Sequence, residues 1–174
     1  MKSKLLSACL LAGVAVASQQ AFAADGQITF TGTIQASTCA INSGNGANFT
    51  VALPTVSTST LNTAGVAAGR TPFQIVLSGC QFNTAARAYF QQGSNVGTAG
   101  RLKTTNASVD IRLINGDAST PIDTSAVDGS QSSLSVTTDG TGAATLKYFA
   151  EYYANTAATA GAANSSVLYT IVYP

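Results

Sequence analysis

The side chains able to do chemistry are few. The 174 residues include no histidine and no tryptophan, with three cysteines, seven acids and eight bases. Without histidine, the commonest general base, the commonest metal ligand and the base of a Ser-His-Asp triad are all missing. Three cysteines fall short of a four-cysteine zinc site, and no histidine completes a mixed one. The acids are Asp25, Asp110, Asp117, Asp123, Asp128, Asp139 and Glu151, and most stand beside Gly, Ser or Asn, where carboxylates cap turn amides. Asp110 alternates with Ile111 and is expected to face solvent. Glu151 sits among Tyr148, Phe149, Tyr152 and Tyr153 and reads as a charge on a strand face. A glycoside-cleaving carboxyl pair needs one acid raised in an apolar pocket, and nothing in the sequence marks one. There is no Gly-x-Ser-x-Gly elbow, no phosphate loop and no calcium-loop spacing. Tyr148, Tyr152 and Tyr153 could stack a sugar, a role that stays open beside ordinary packing. The sequence therefore predicts no catalytic residue, no metal ligand and no cofactor.

Charge narrows the partners further. Charged residues make up 9 % of the chain and the formal net charge is +1. That balance supplies no basic footprint for phosphates, so nucleic acid is excluded as an expected partner.

The start of the chain reads as an export signal. Lys2 and Lys4 precede an apolar run over residues 5–17, and Ala21-Phe22-Ala23 offers a small-x-small cleavage site before Ala24. Removing residues 1–23 of 174 leaves 151 residues and two cysteines, Cys39 and Cys80. An even pair in an oxidising compartment is expected to form a disulfide. A redox role has less support, because the chain carries neither a Cys-x-x-Cys motif nor a histidine to activate a thiol.

The elements that must position these residues read as strands. Apolar and polar residues alternate over residues 28–34, 73–77, 109–113, 134–136, 144–148 and 167–173, with Gly, Asn and Asp between the runs. Asn115-Gly116-Asp117 marks a turn, and Asp139-Gly140 predicts a hairpin joining the runs on either side of it. Residues 58–68 admit a short helical turn at most. Strands of this length and spacing indicate one all-β sandwich or barrel.

Both ends of the exported chain carry an informative pattern. Ile28-x-Phe30-x-Gly32-x-Ile34 alternates near the new N-terminus, and Cys39 follows. Further along stand Phe73-x-Ile75-x-Leu77-x-x-Cys80 and Leu146-x-Tyr148-x-Ala150-x-Tyr152. Gly161 is fourteenth from the C-terminus, and Val167, Tyr169, Ile171 and penultimate Tyr173 alternate to the end. In this order the set resembles a chaperone–usher fimbrial subunit, a pilin of the type 1 fimbrial family. The resemblance covers nearly all of the exported chain. It departs at Pro174, where the family more often ends in a polar residue.

The resemblance implies an all-β fold: an incomplete immunoglobulin-like sandwich lacking its last strand, completed in trans by a donor strand. It divides the chain into a signal peptide (1–23), an N-terminal donor-strand extension (24–37) and a pilin domain (38–174). Ile28, Phe30 and Ile34 would fill a neighbour's groove, with Gly32 fixing register. Val167, Tyr169, Ile171 and Tyr173, with Gly161 and Pro174, would form the acceptor groove and the edge held by a chaperone. The implied partners are neighbouring fimbrial subunits in a homopolymer, a periplasmic chaperone and an outer-membrane usher. The implied location is a fimbria on the cell surface, reached through the periplasm. The implied role is a structural subunit supporting cell adhesion, a major shaft pilin, with a minor adaptor pilin as the alternative within the family. A monomeric, secreted carbohydrate-binding sandwich is the alternative that the tyrosines keep open.

Overall fold

Period-2 alternation of β-branched and aromatic residues with small polar ones builds eight strands among the described residues. The computed structural model describes residues 27, 29–32, 39–41, 46–97 and 99–174. Residues 1–35 and 36–174 form separate compact units. In the first unit, Gln27 and residues 29–32 belong to no assigned strand. Ile28 and Ile34 of the expected donor pattern lie outside the described residues, as does the whole of the expected signal peptide, residues 1–23.

In the second unit the strands are β1 (Ala40–Ile41), β2 (Ala67–Ser78), β3 (Ala85–Phe90), β4 (Leu102–Lys103), β5 (Val109–Asn115), β6 (Val136–Thr137), β7 (Ala144–Ala154) and β8 (Tyr169–Val172). A 3₁₀ turn at Thr58–Leu61 is the only helical piece among the described residues, N-capped by the Ser57 hydroxyl. The strands form two antiparallel sheets, ordered β1-β2-β7-β5-β4 and β6-β3-β8. Ile75, Leu77, Leu146 and Tyr148 from the larger sheet meet Ala86, Ala88 and Phe90 from the smaller one in a single core. Each large apolar side chain buried there stabilises the fold by about 1.5–3 kcal/mol. The alanines of β3 let the smaller sheet approach Tyr148, whose ring lies edge-on to Phe90 at a centroid distance of 5.4 Å.

Cys39 and Cys80 are disulfide-bonded, tying the residue before β1 to the end of β2. Gly142 packs against this end of the molecule. Its φ is +73°, and an added Cβ would lie 2.3 Å from the Cys80 carbonyl oxygen.

The predicted hairpin across Asp139-Gly140 does not form. The turn is present, with Asp139 N–H donating to Ala143 O at 2.9 Å. β6, however, pairs with β3, and β7 pairs with β2 and β5. The chain changes sheets at that turn, a sandwich connection that local alternation does not distinguish from a hairpin.

The outer face of the larger sheet also differs from expectation. Asp110 is buried and pairs with Arg101 at 3.3 Å. Alternation placed it on the outward face correctly, but a layer of long side chains covers that face. The Arg101 and Arg112 guanidinium carbons lie 4.2 and 5.0 Å from the centroid of the Tyr153 ring. Glu151 sits beneath the same layer with a side chain only 3 % exposed. Arg112, its direct partner across the β5–β7 ladder, and Arg70 from β2 both pair with its carboxylate. A bulge brings Arg70 there. Ala68 faces Tyr152 while Thr71 faces Ala150, so Gly69 and Arg70 together oppose Glu151. Gly69 takes φ +72° at this point, with an added Cβ only 3.1 Å from the Tyr152 ring.

Candidate functional site: an open strand edge above an apolar groove

The smaller sheet has two edges, treated in opposite ways. Beyond the short β6 ladder, side chains seal the exposed backbone of β3. Tyr148 Oη accepts from Ala88 N–H at 3.3 Å. The buried Gln131 carboxamide accepts from Phe90 N–H at 3.0 Å and donates to Phe90 O at 2.6 Å. Gln131 thus supplies the two hydrogen bonds that a partner strand would make.

β8 forms the other edge, and among the described residues no strand lies beyond it. Its register fixes what it offers. Gln91 N–H donates to Leu168 O at 2.7 Å, and Tyr89 faces Thr170 and Arg87 faces Val172 in the same ladder. The even-numbered residues therefore spend their backbone groups on β3. Odd-numbered Tyr169 and Ile171 point theirs away from β3, and Val167 and Tyr173 continue that parity. The same odd-numbered residues turn their side chains inward: burial alternates along residues 163–171, half-buried at odd positions and exposed at even ones.

Those inward side chains form one wall of a groove of about 690 Å³. Phe49, Val51 and Leu53 form the facing wall, on an extended stretch with no assigned strand partner. Ile75, Leu113 and Ala150 of the larger sheet contribute to the floor. An apolar trough with an unpaired strand edge along one wall has the shape and chemistry to accept one more strand. Backbone groups are available for a ladder, and alternate pockets are available for apolar side chains. An open edge over apolar surface is also what folded monomers ordinarily avoid.

The structure places the expected residues unevenly. Val167, Tyr169, Ile171 and Tyr173 line the groove together. Gly161 and Pro174 do not line it. Gly161 is exposed, with φ +149°, on the long approach to β8, and it borders a separate cleft beside Asn106. Phe30 is 89 % exposed, and an added Cβ at Gly32 would meet no heavy atom within 4 Å. Phe49, Val51 and Leu53 are not among the residues expected at the groove, although Phe49-x-Val51-x-Leu53 shows the same alternation as the expected strands.

The tyrosines do not make a sugar platform. Tyr148 is buried in the core, and neighbouring Tyr152 and Tyr153 point to opposite faces of β7. Among the described residues no group of three His, Cys, Asp or Glu side chains is placed to hold a metal ion.

A two-sheet immunoglobulin-like sandwich with one strand position open is the fold of chaperone–usher pilins. The comparisons agree: the chain matches the family described as type-1 fimbrial protein, A, over residues 53–174. It is 44 % identical over 168 residues to the major fimbrial subunit SMF-1 of Stenotrophomonas maltophilia (strain K279a), covering 92 % of this chain and 99 % of that one. It is 39 % identical to an F17 fimbrial protein of Escherichia coli, covering 91 % and 93 %. Among solved structures, the P pilus rod subunit PapA superposes with a TM-score of 0.62 at 19 % identity, over 78 % of this chain and 99 % of that one. The chain belongs to the type-1 fimbrial protein family. It is a structural fimbrial subunit, assembled with neighbouring subunits into fimbriae on the cell surface.

Proposed function

We propose that the groove receives residues 24–37 of a neighbouring copy, with Ile28, Phe30 and Ile34 seated in it and Gly32 setting the register. One observation carries this reading. The residues of β8 that present apolar side chains to the groove also present unshared backbone groups along its open edge. A donor with alternating apolar residues satisfies both at once. In this scheme residues 1–23 direct export and are removed, and residues 38–174 form the pilin domain. A periplasmic chaperone occupies the β8 edge first, holding the chain near Pro174. At the outer-membrane usher the next subunit's segment replaces it. Each subunit gives a segment and takes one, so the contact is head-to-tail and does not close, which produces a filament. A subunit with both a donor pattern and an acceptor groove suits a major shaft pilin. The role is structural, that of a repeating unit in the filament.

Thermal unfolding of two oxidised variants tests the proposal. One lacks residues 24–37; the other carries residues 25–37 behind Pro174 on a short flexible linker. The relocated segment should give a monomer melting far above the truncated chain, and Phe30→Asp within it should abolish the gain. Equal melting of both variants as stable monomers would contradict the reading.

A further inference from the structure

We propose that Tyr169 is a latch across the groove: in the unfilled subunit its side chain ties β8 to the opposite wall, and a donor strand seats fully only after that tie breaks. The inference rests on the donor-strand reading above. The Tyr169 hydroxyl donates to the Ala47 carbonyl oxygen at 2.7 Å. Its ring meets Phe49 edge-on, with centroids 6.2 Å apart. Ala47 and Phe49 belong to the far side of the groove, so one side chain bridges it from wall to wall.

A strand added along β8 must lie between those walls. Tyr169 points its N–H and C=O towards that strand, which makes it one half of a hydrogen-bonded antiparallel pair or its parallel equivalent. The donor residue beside it would sit about 5.5 Å away, Cα to Cα, with its side chain on the same inward face. Ring and donor side chain then compete for one volume, so the tie belongs to the empty groove. The far wall does not readily swing aside to relieve the conflict. Phe49 also packs on Phe73 at 6.2 Å, and Phe73 on the buried Tyr148 at 5.4 Å, so the wall is anchored in the core. The moving part is therefore the tyrosine. Burial raises the Tyr169 phenol above its ordinary pKa, which keeps the hydroxyl a donor through the neutral range.

A latch of this kind slows seating and leaves the release of a seated strand unchanged. The test uses the full exported chain carrying Phe30→Asp, so that its own segment does not compete, with an excess of a labelled peptide of the unaltered sequence 24–37. Capture and release are followed by fluorescence anisotropy. Tyr169→Phe keeps the ring and removes the tie, and should speed capture about two- to tenfold, the worth of one hydrogen bond, while leaving release of a seated peptide unchanged. Capture at the parent rate overturns the latch. So does unchanged capture with faster release, the signature of a tie that persists beneath the seated strand. Failure of the parent chain to capture the peptide at all overturns the donor-strand reading itself, and the latch with it. If circular dichroism shows that Tyr169→Phe is unfolded, Phe49→Leu loosens the same tie by removing its ring contact, and capture no faster than the parent's overturns the latch.

Discussion

At Glu151 burial and pairing act in opposite directions. Burial raises the carboxyl, but hydrogen bonds and charge from Arg70 and Arg112 outweigh it and hold the group below its ordinary value of 4.5. A carboxyl depressed in the folded state contributes stability that is present above its unfolded pKa and lost as pH falls through the lower folded one. Melting temperature should therefore fall on acidification below about pH 4.5. In Glu151→Gln that part of the acid dependence should disappear, with stability at neutral pH lower by about 1–3 kcal/mol. Melting curves from neutral pH to about pH 3 check both statements. Gln131 makes a second residue-scale case. Gln131→Ala leaves Phe90 N–H and C=O buried without their partners and should cost about 2–4 kcal/mol, read from the urea unfolding midpoint. Neither role was legible in the sequence. Alternation assigns a side chain to a face but does not say what covers that face. Arg70 lies 81 residues from Glu151 and Gln131 lies 41 from Phe90, distances that only the assembled sheets close.

At the scale of elements, the groove is two walls with a missing strand between them. Parity within the second wall gives a direct test. Val51 faces the groove and Ala52 faces solvent. Val51→Asp should weaken capture of the 24–37 peptide at least tenfold, since a charge would be buried against the donor's apolar row. Ala52→Asp, one position along, should leave capture unchanged in the same titration. The β8 wall was readable because the large apolar residues Val167, Tyr169, Ile171 and Tyr173 recur at every second position. β3, the strand that fixes which β8 backbone groups are free, was not. Ala85-Ala-Arg87-Ala-Tyr89-Phe90 puts small residues at the core positions, so its hydrophobic period is faint until Tyr148 is seen to need the space. The expected β6–β7 hairpin failed for a related reason: a turn signal reports a reversal of direction, not which sheet the chain joins next.

At the scale of the molecule, the proposal makes residues 24–37 and the groove beside β8 complementary parts of a non-closing assembly. Phe30→Asp in the full chain should abolish filament growth while the pilin domain keeps its fold, as judged by electron microscopy beside circular dichroism. The fold class and the β8 wall were legible because repeated period-2 alternation and the order of motifs survive in the linear chain. The groove's depth, its second wall and the tyrosine that bridges it depend on how the two sheets stack. Amide hydrogen exchange along β8 tests the central claim most directly. It compares the chain lacking residues 24–37, alone and with the 24–37 peptide bound. Thr170 and Val172, which face β3, should be protected in both states, whereas Tyr169, Ile171 and Tyr173 should become protected only when the peptide is present. Peptide binding that leaves those three amides exchanging as before would contradict strand addition at this edge.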